Sequence, residues 1–153
     1  MSSSFSTALP GRTTARSWDS SRRNRGRRSR WTTSKARALA AVENPHVDIL
    51  AHPTGRIVNR RDALGLEWPR VFEAAARTGT LLEMNGSPRL DLDEHLARAA
   101  ARAGARLVVA SDAHRTEELP QLAYGVSMAR RAWLTADQVA NTRDGAGLLE
   151  LVT

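Results

Sequence analysis

An aspartate and a histidine that follow a short apolar run carry the clearest chemical signal in this sequence. Residues 107–110 are all apolar, which predicts a strand buried on both faces, and Asp112 and His114 come directly after it. Carboxylate oxygen and imidazole nitrogen are suitable ligands for Zn²⁺, Mn²⁺ or Fe²⁺. A metal ion lowers the pKa of its bound water from about 15.7 to about 7 and polarises a phosphoryl oxygen. Asp-x-His alone is a weak signal, because aspartate also caps helices.

Other polar residues follow two further apolar runs and strengthen this signal. His52 comes after a predicted strand at 47–51, and Glu83 and Asn85 end another at 80–85. Glu83 is interpreted either as a metal ligand or, preferably, as a side chain that accepts a hydrogen bond from backbone N–H at the strand end. Asn85 is expected to shape the following turn. Arg56 fits a phosphate clamp or an ordinary surface loop arginine equally well, since guanidinium matches phosphate in a bidentate manner.

The elements that must position these residues alternate along the chain. Helices are expected at 33–43, 70–78 and 119–133, a third strand at 105–110, and a capping box formed by Asp91 and Glu94 at the start of a helix that ends at Gly104. Thr135 and Gln138 suggest a second capping box. Continuous apolar strands between helices predict an α/β fold with parallel strands, whose carboxyl ends share one edge.

Composition separates the chain into a basic segment and a neutral body. Eight of the 23 basic and one of the 16 acidic residues lie in residues 1–31, so the net charge of +7 belongs to that segment. We expect residues 1–31 to form a disordered Arg/Ser-rich tail and residues 32–153 to fold. The tail is interpreted as a solvated arm or start-site artefact, a nucleic-acid contact, or a targeting segment.

Residue counts exclude several classes of protein. The chain has no cysteine, which rules out disulfides and thiolate sites, and no apolar run approaches the roughly 18 residues of a membrane span. A cytoplasmic location without membrane contact is therefore expected. Of the remaining histidines, His46 and His95 are interpreted as structural or solvated, while Trp68 and Trp133 are expected to pack in the core.

Four long segments resemble the polymerase and histidinol phosphatase (PHP) domain, in particular the version at the C-terminus of bacterial X-family DNA polymerases. Together they lie within residues 33–145. The segments are ENPHVDILAHPTGR (43–56), LLEMNGSPRLDL (81–92), VVASDAH (108–114) and YGVSMARRAWL (124–134).

This resemblance implies a distorted (β/α)₇ barrel with a trinuclear Mn²⁺, Zn²⁺ or Fe²⁺ centre that hydrolyses phosphoesters. The polymerase-linked version resembles a 3′–5′ exonuclease that processes DNA 3′ ends in repair. His52, Asp112 and His114 match metal ligands of the family, whereas Glu83 and Asn85 match a motif that lines the site.

The chain departs from the family because the N-terminal barrel segments, with their His-x-His pair, have no counterpart here. We therefore expect about three βα units of the barrel, a truncated domain with an incomplete metal cluster and two exposed sheet edges. Such a chain would be inactive alone and would need the missing barrel half or self-association. The alternatives are a histidinol-phosphatase-like phosphatase of small molecules and a non-catalytic nucleic-acid-binding fragment that acts through its tail.

Overall fold

The computed structural model describes residues 36–152, so the predicted tail lies outside the described residues. Among these residues, no helix is long and apolar enough to cross a membrane. The elements in chain order are α1 (36–42), β1 (Ile49–Leu50), α2 (Trp68–Thr78), β2 (Leu81–Asn85), α3 (Glu94–Arg102), β3 (Leu107–Ala110), α4 (Leu122–Arg131) and α5 (Gly145–Leu149). Short 3₁₀ turns occur at Thr116–Gln121, Ala136–Gln138 and Ala140–Thr142.

The three strands form one parallel sheet in the order β1-β2-β3, which confirms the predicted α/β fold. Leu82 pairs with Leu107 and Asn85 pairs with Ala110, so β2 and β3 are in register along their whole length. The β1 strand has two residues where the sequence predicted five. The site-bearing ends of β2 and β3 are therefore held firmly together, whereas β1 is anchored mainly through its following loop.

Side chains that alternate along the strands divide the core into two parts. Leu82, Met84, Leu107 and Val109 pack with α1, α2, α3 and α4 in the larger cluster. Leu81 and Val108 pack instead with Ala140 and with the C-terminal residues Leu148, Leu151 and Val152. Because successive strand residues point to opposite faces, the helices α1 to α4 cover one face of the sheet and the C-terminal segment covers part of the other.

Two predicted helix boundaries are wrong, for identifiable reasons. Helix α3 is capped by Asp93, whose carboxylate accepts hydrogen bonds from the N–H groups of His95 and Leu96, so the predicted Asp91/Glu94 capping box does not form. The helix predicted at 119–133 is divided, because Pro120 has no N–H to donate and lies in a 3₁₀ turn that precedes α4. The predicted Thr135/Gln138 capping box is confirmed.

The outer edge of β3 is not left bare, contrary to the expectation of two exposed edges. The side chain of Asn141 accepts a hydrogen bond from Val109 N–H at 3.1 Å and donates one to Val109 C=O at 2.8 Å. Val139 forms a parallel bridge with Leu107 farther along the same edge. An amide side chain thus takes the place of a fourth strand at this position.

The two tryptophans of the described residues have different environments. Trp68 stacks on Phe72, with ring centroids 5.6 Å apart, and packs against the core, as predicted. Trp133 is 80% exposed, so the prediction that it packs in the core is wrong. His46 and His95 are both exposed, in agreement with their interpretation as solvated residues.

Candidate functional site

The candidate residues gather at the carboxyl edge of the parallel sheet. His52 lies two residues after β1, Asn85 is the last residue of β2, and Asp112 lies two residues after β3. Since all three strands run in the same direction, these positions share one edge, where ligand sites of α/β proteins form. The sheet therefore brings together residues that are far apart in the sequence.

Glu83 connects the loop after β1 to β2. Its buried carboxylate accepts a hydrogen bond from the backbone N–H of His52 at 2.5 Å, and Asn85 Nδ2 donates to the same oxygen at 3.3 Å. Asn85 Oδ1 in turn accepts a hydrogen bond from Ser87 N–H at 2.9 Å, which shapes the turn that follows β2. One carboxylate oxygen of Glu83 is thus occupied by the hydrogen bond that fixes the loop carrying His52.

Asp91 is a central residue of this region that sequence reasoning assigned to a helix cap. Its fully buried carboxylate accepts hydrogen bonds from the N–H groups of Thr54 and Gly55 at 3.2 and 2.8 Å. Burial raises the pKa of Asp91 above its usual value, and the hydrogen bonds from Thr54 and Gly55 only partly oppose this. Asp91 thereby fixes the loop that carries His52 against the loop that follows β2.

Arg56 is engaged by the same two loops. Its Nε donates to Arg89 C=O at 2.8 Å, an Nη atom donates to Leu90 C=O, and the other Nη lies 3.5 Å from the Asp93 carboxylate. These contacts use donors on all three guanidinium nitrogens to hold backbone and a helix cap. The phosphate-binding role of Arg56 stays a prediction, and any phosphate would have to share the guanidinium with these partners.

Arg89 is the functional-site candidate that the sequence analysis missed. Its Nε lies 3.3 Å from Asp112 Oδ2, and both side chains are about one quarter exposed. The available signal was its position: Arg89 follows the Ser87-Pro88 turn at the end of β2 and so reaches the same edge as Asp112. A cation and the predicted metal-binding carboxylate therefore stand in direct contact.

His114 is oriented by two contacts. Its Nδ1 lies 2.8 Å from the backbone oxygen of Asp112, and its N–H donates to Glu118 at 2.9 Å. The first contact requires Nδ1 to carry the proton, which leaves Nε2 as the nitrogen with a free lone pair, an arrangement common among metal-binding histidines. The hydrogen bond from His114 N–H, followed by the contact with Arg115, lowers the pKa of Glu118 below its usual value.

The backbone at two candidate ligands lies in the left-handed region. His52 has φ 31° and Asp112 has φ 54°. A residue other than glycine costs roughly 1–2 kcal/mol there, less for Asp, whose short polar side chain tolerates the region. Such strain is frequent at functional sites, and Asn59, Leu90 and Trp133 also adopt a positive φ.

The described residues do not by themselves form a complete metal centre. Within 36–152, no group of three or more His, Asp or Glu side chains is arranged to hold a metal ion. Asp112 faces Arg89, and one Glu83 oxygen is occupied by His52 N–H. The residues present therefore do not fit the predicted trinuclear cluster without further ligands.

The known proteins with similar sequences include one named as a DNA polymerase and 3′-5′ exonuclease and two named as probable phosphatases. No family model matches the chain. The chain is 43% identical over 109 residues to the Bacillus subtilis protein named DNA polymerase/3′-5′ exonuclease PolX, a match that covers 70% of this chain and 19% of that protein. Probable phosphatases from Thermoanaerobacter sp. and Thermoanaerobacter pseudethanolicus are each 30% identical over 114 residues, covering 70% of this chain and 44% of theirs.

The chain thus spans less than half the length of each of these relatives. These matches confirm the predicted resemblance: part of this chain is similar in sequence to PolX and to the two probable phosphatases.

Proposed function

We propose that this chain is part of a metal-dependent phosphoesterase that removes nucleotides from DNA 3′ ends. The observation that carries this proposal is the 43% identity over 109 residues to a protein named as a 3′-5′ exonuclease. DNA is accordingly the proposed partner. His52, Asp112 and His114 are the proposed metal ligands, and Mn²⁺, Zn²⁺ or Fe²⁺ are the proposed cofactors.

Local geometry supports this choice of residues. Asp112 and His52 combine a left-handed backbone with a place at the shared edge of the sheet. His114 has its Nδ1 bound to backbone, which leaves Nε2 available to a ligand. Arg89 and Arg56 lie on the neighbouring loops and supply positive charge where a phosphate would approach.

The proposal includes a requirement for ligands from outside residues 36–152. Because no set of three potential ligands converges within these residues, we expect the chain alone to show little or no hydrolase activity. Robust Mn²⁺-dependent degradation of a 3′-labelled DNA strand by the purified chain, abolished by Asp112→Ala, would refute this expectation.

A chimaera tests the proposed activity directly. Residues 36–152 would replace the matching segment of the Bacillus subtilis relative, whose remaining sequence is expected to supply the missing ligands. We expect the chimaera to shorten a 3′-labelled single strand in the presence of Mn²⁺, and Asp112→Ala or His114→Ala within the insert to abolish the activity. Asp137→Ala, an exposed carboxylate far from this edge in sequence, is the matched control and should leave the rate unchanged.

Two results of the chimaera experiment would contradict the proposal. A folded chimaera that binds Mn²⁺ yet releases no nucleotide would contradict the proposed role of these residues. Equal activity in the Asp112→Ala and parent chimaeras would contradict the assignment of Asp112 as a ligand.

The second candidate function is hydrolysis of a small phosphomonoester. It is favoured by the two probable phosphatases, of which the chain matches a larger share than it does of the polymerase relative. Turnover of histidinol phosphate in preference to DNA by the same chimaera would select this alternative.

A further inference from the structure

Trp133 occupies a helix end of the kind at which α2 and α3 use glycine. Its N–H donates to Arg130 C=O at 3.0 Å, and Leu134 N–H donates to Ala129 C=O at 3.1 Å. This pair of bonds defines a Schellman motif, in which the residue after the helix adopts a left-handed conformation. Trp133 accordingly has φ 59°, whereas Gly79 and Gly104 fill the corresponding positions after α2 and α3.

Folding alone does not account for a tryptophan at this position. The left-handed conformation is unfavourable for a side chain with a Cβ, and glycine would relieve it. The ring gains little burial in return, because Trp133 is 80% exposed. A large aromatic side chain that is both strained and exposed indicates a contact with another molecule.

The surface beside Trp133 is a groove with positive charge. We call it the Trp133 groove. It has a volume of about 270 Å³ and is lined by Arg98, Ala101, Arg102, Ala132, Trp133, Leu134 and Gln138.

Two arginines and no acidic residue line the Trp133 groove. Arg98 donates to the carbonyls of Ala132 and Arg131, while Arg102 has no hydrogen-bond or ion-pair partner among the described residues. The groove is therefore suited to an anionic ligand with a flat apolar part.

The Trp133 groove lies away from the candidate catalytic edge. Helix α3 ends at Arg102 and β3 begins at Leu107, so Arg102 lies at the amino end of the strand whose carboxyl end leads to Asp112. The four residues of β3 separate the two ends by about 13 Å at 3.3 Å per residue. A ligand in the groove would therefore occupy a site of its own.

We propose that the Trp133 groove binds single-stranded nucleic acid, with a base stacked on the indole ring of Trp133 and a phosphate paired with Arg102. Exposed aromatic rings next to cationic side chains bind single strands in this way, because every base has a face that can stack. Residues 1–31 are themselves basic and so do not complement the charge of the groove. This proposal is independent of hydrolase activity and of metal ions.

The test measures binding of a fluorescently labelled oligothymidylate to the full chain by anisotropy. Trp133→Gly is expected to weaken binding about tenfold, the effect of losing one stacked base. The same variant should melt no lower than the wild type, because glycine accepts the left-handed backbone. Tyr124→Ala removes another exposed aromatic ring, on α4, and is the matched control.

Charge is tested with a second matched pair of variants. Arg102→Glu should weaken binding more than Arg37→Glu, which makes the same charge change at an exposed position on α1. Any contribution of the basic segment 1–31 to phosphate binding would fall steeply with salt. The difference between the wild type and Trp133→Gly should therefore persist at high salt, where stacking remains.

Four results would overturn the proposal. The first is unchanged affinity in Trp133→Gly, and the second is an equal effect of the Arg102 and Arg37 substitutions. The third is equally tight, Trp133-dependent binding of polyglutamate, which would identify an acidic polypeptide as the partner.

The fourth comes from photo-crosslinking of the wild type to a bromouracil-containing strand, a measurement that needs no variant. A crosslink at Trp133 is expected, and its absence would contradict the proposal.

Discussion

Arg89 Nε lies 3.3 Å from Asp112 Oδ2 and thereby ties the loop after β2 to the loop after β3. The two residues are 23 positions apart in the sequence, and each follows a strand of the same parallel pair. The candidate metal-binding carboxylate is thus paired with a cation. This pair provides the first prediction.

Removing the Arg89–Asp112 ion pair should cause a small loss of stability. Arg89→Gln is expected to lower the free energy of unfolding by about 0.5–1 kcal/mol, the usual range for a partly exposed pair. A double-mutant cycle with Asp112→Asn, followed by urea unfolding, should return a coupling of similar size. Arg60→Gln, at an exposed loop position, is the control; a coupling of zero would show that the pair contributes nothing.

Asp91 should make stability depend on pH. Because burial raises its pKa in the folded state, the folded protein takes up a proton at a higher pH than the unfolded chain does. The contribution of Asp91 to stability is therefore greatest at acidic pH and declines as the pH rises through the raised pKa. Asp91→Asn removes this dependence and also disrupts the hydrogen bonds from Thr54 and Gly55.

Urea unfolding of the wild type and Asp91→Asn between about pH 4 and pH 7 measures this effect. The free energy of unfolding of the wild type, minus that of the variant, should be larger at the acidic end. A difference that grows with pH would mean that hydrogen bonding to the carboxylate outweighs the cost of its burial.

Gly125 permits the close approach of α4 to the sheet. A Cβ at this position would lie 2.7 Å from Val109 Cγ1 and 3.3 Å from Met84 O. Gly125→Ala should therefore destabilise the protein by about 1–3 kcal/mol through overpacking. Gly145→Ala, where an added Cβ meets nothing within 4 Å, is the matched control in thermal unfolding. Equal melting temperatures for the two variants would contradict the close packing.

Asn141 should protect the open edge of β3. Asn141→Ala removes both side-chain hydrogen bonds to Val109 and is expected to cost about 1–3 kcal/mol. The uncovered strand edge should also increase aggregation, which light scattering during unfolding would detect. Arg143→Ala, an exposed neighbour, should change neither quantity; if Asn141→Ala behaves in the same way, the edge does not depend on the amide.

The sequence by itself determined the order of elements and the chemistry of their ends. Apolar runs at 47–51, 80–85 and 105–110 predicted three parallel strands, because a strand covered on both faces needs no polar alternation. Motifs around His52, Asp112 and His114 predicted the relationship that the comparisons confirm. These signals are local, so they can be read without knowing which elements meet.

Tertiary structure alone decided which distant residues meet and which remain exposed. Asp91 looked like a helix cap, yet it binds Thr54 N–H across 37 positions. Asn141 pairs with Val109 across 32 positions, and Trp133, which composition favours as a core residue, lies in solvent. Local patterns encode periodicity and capping, whereas partner choice depends on the packing of the whole chain, so these contacts could not be predicted from sequence spacing.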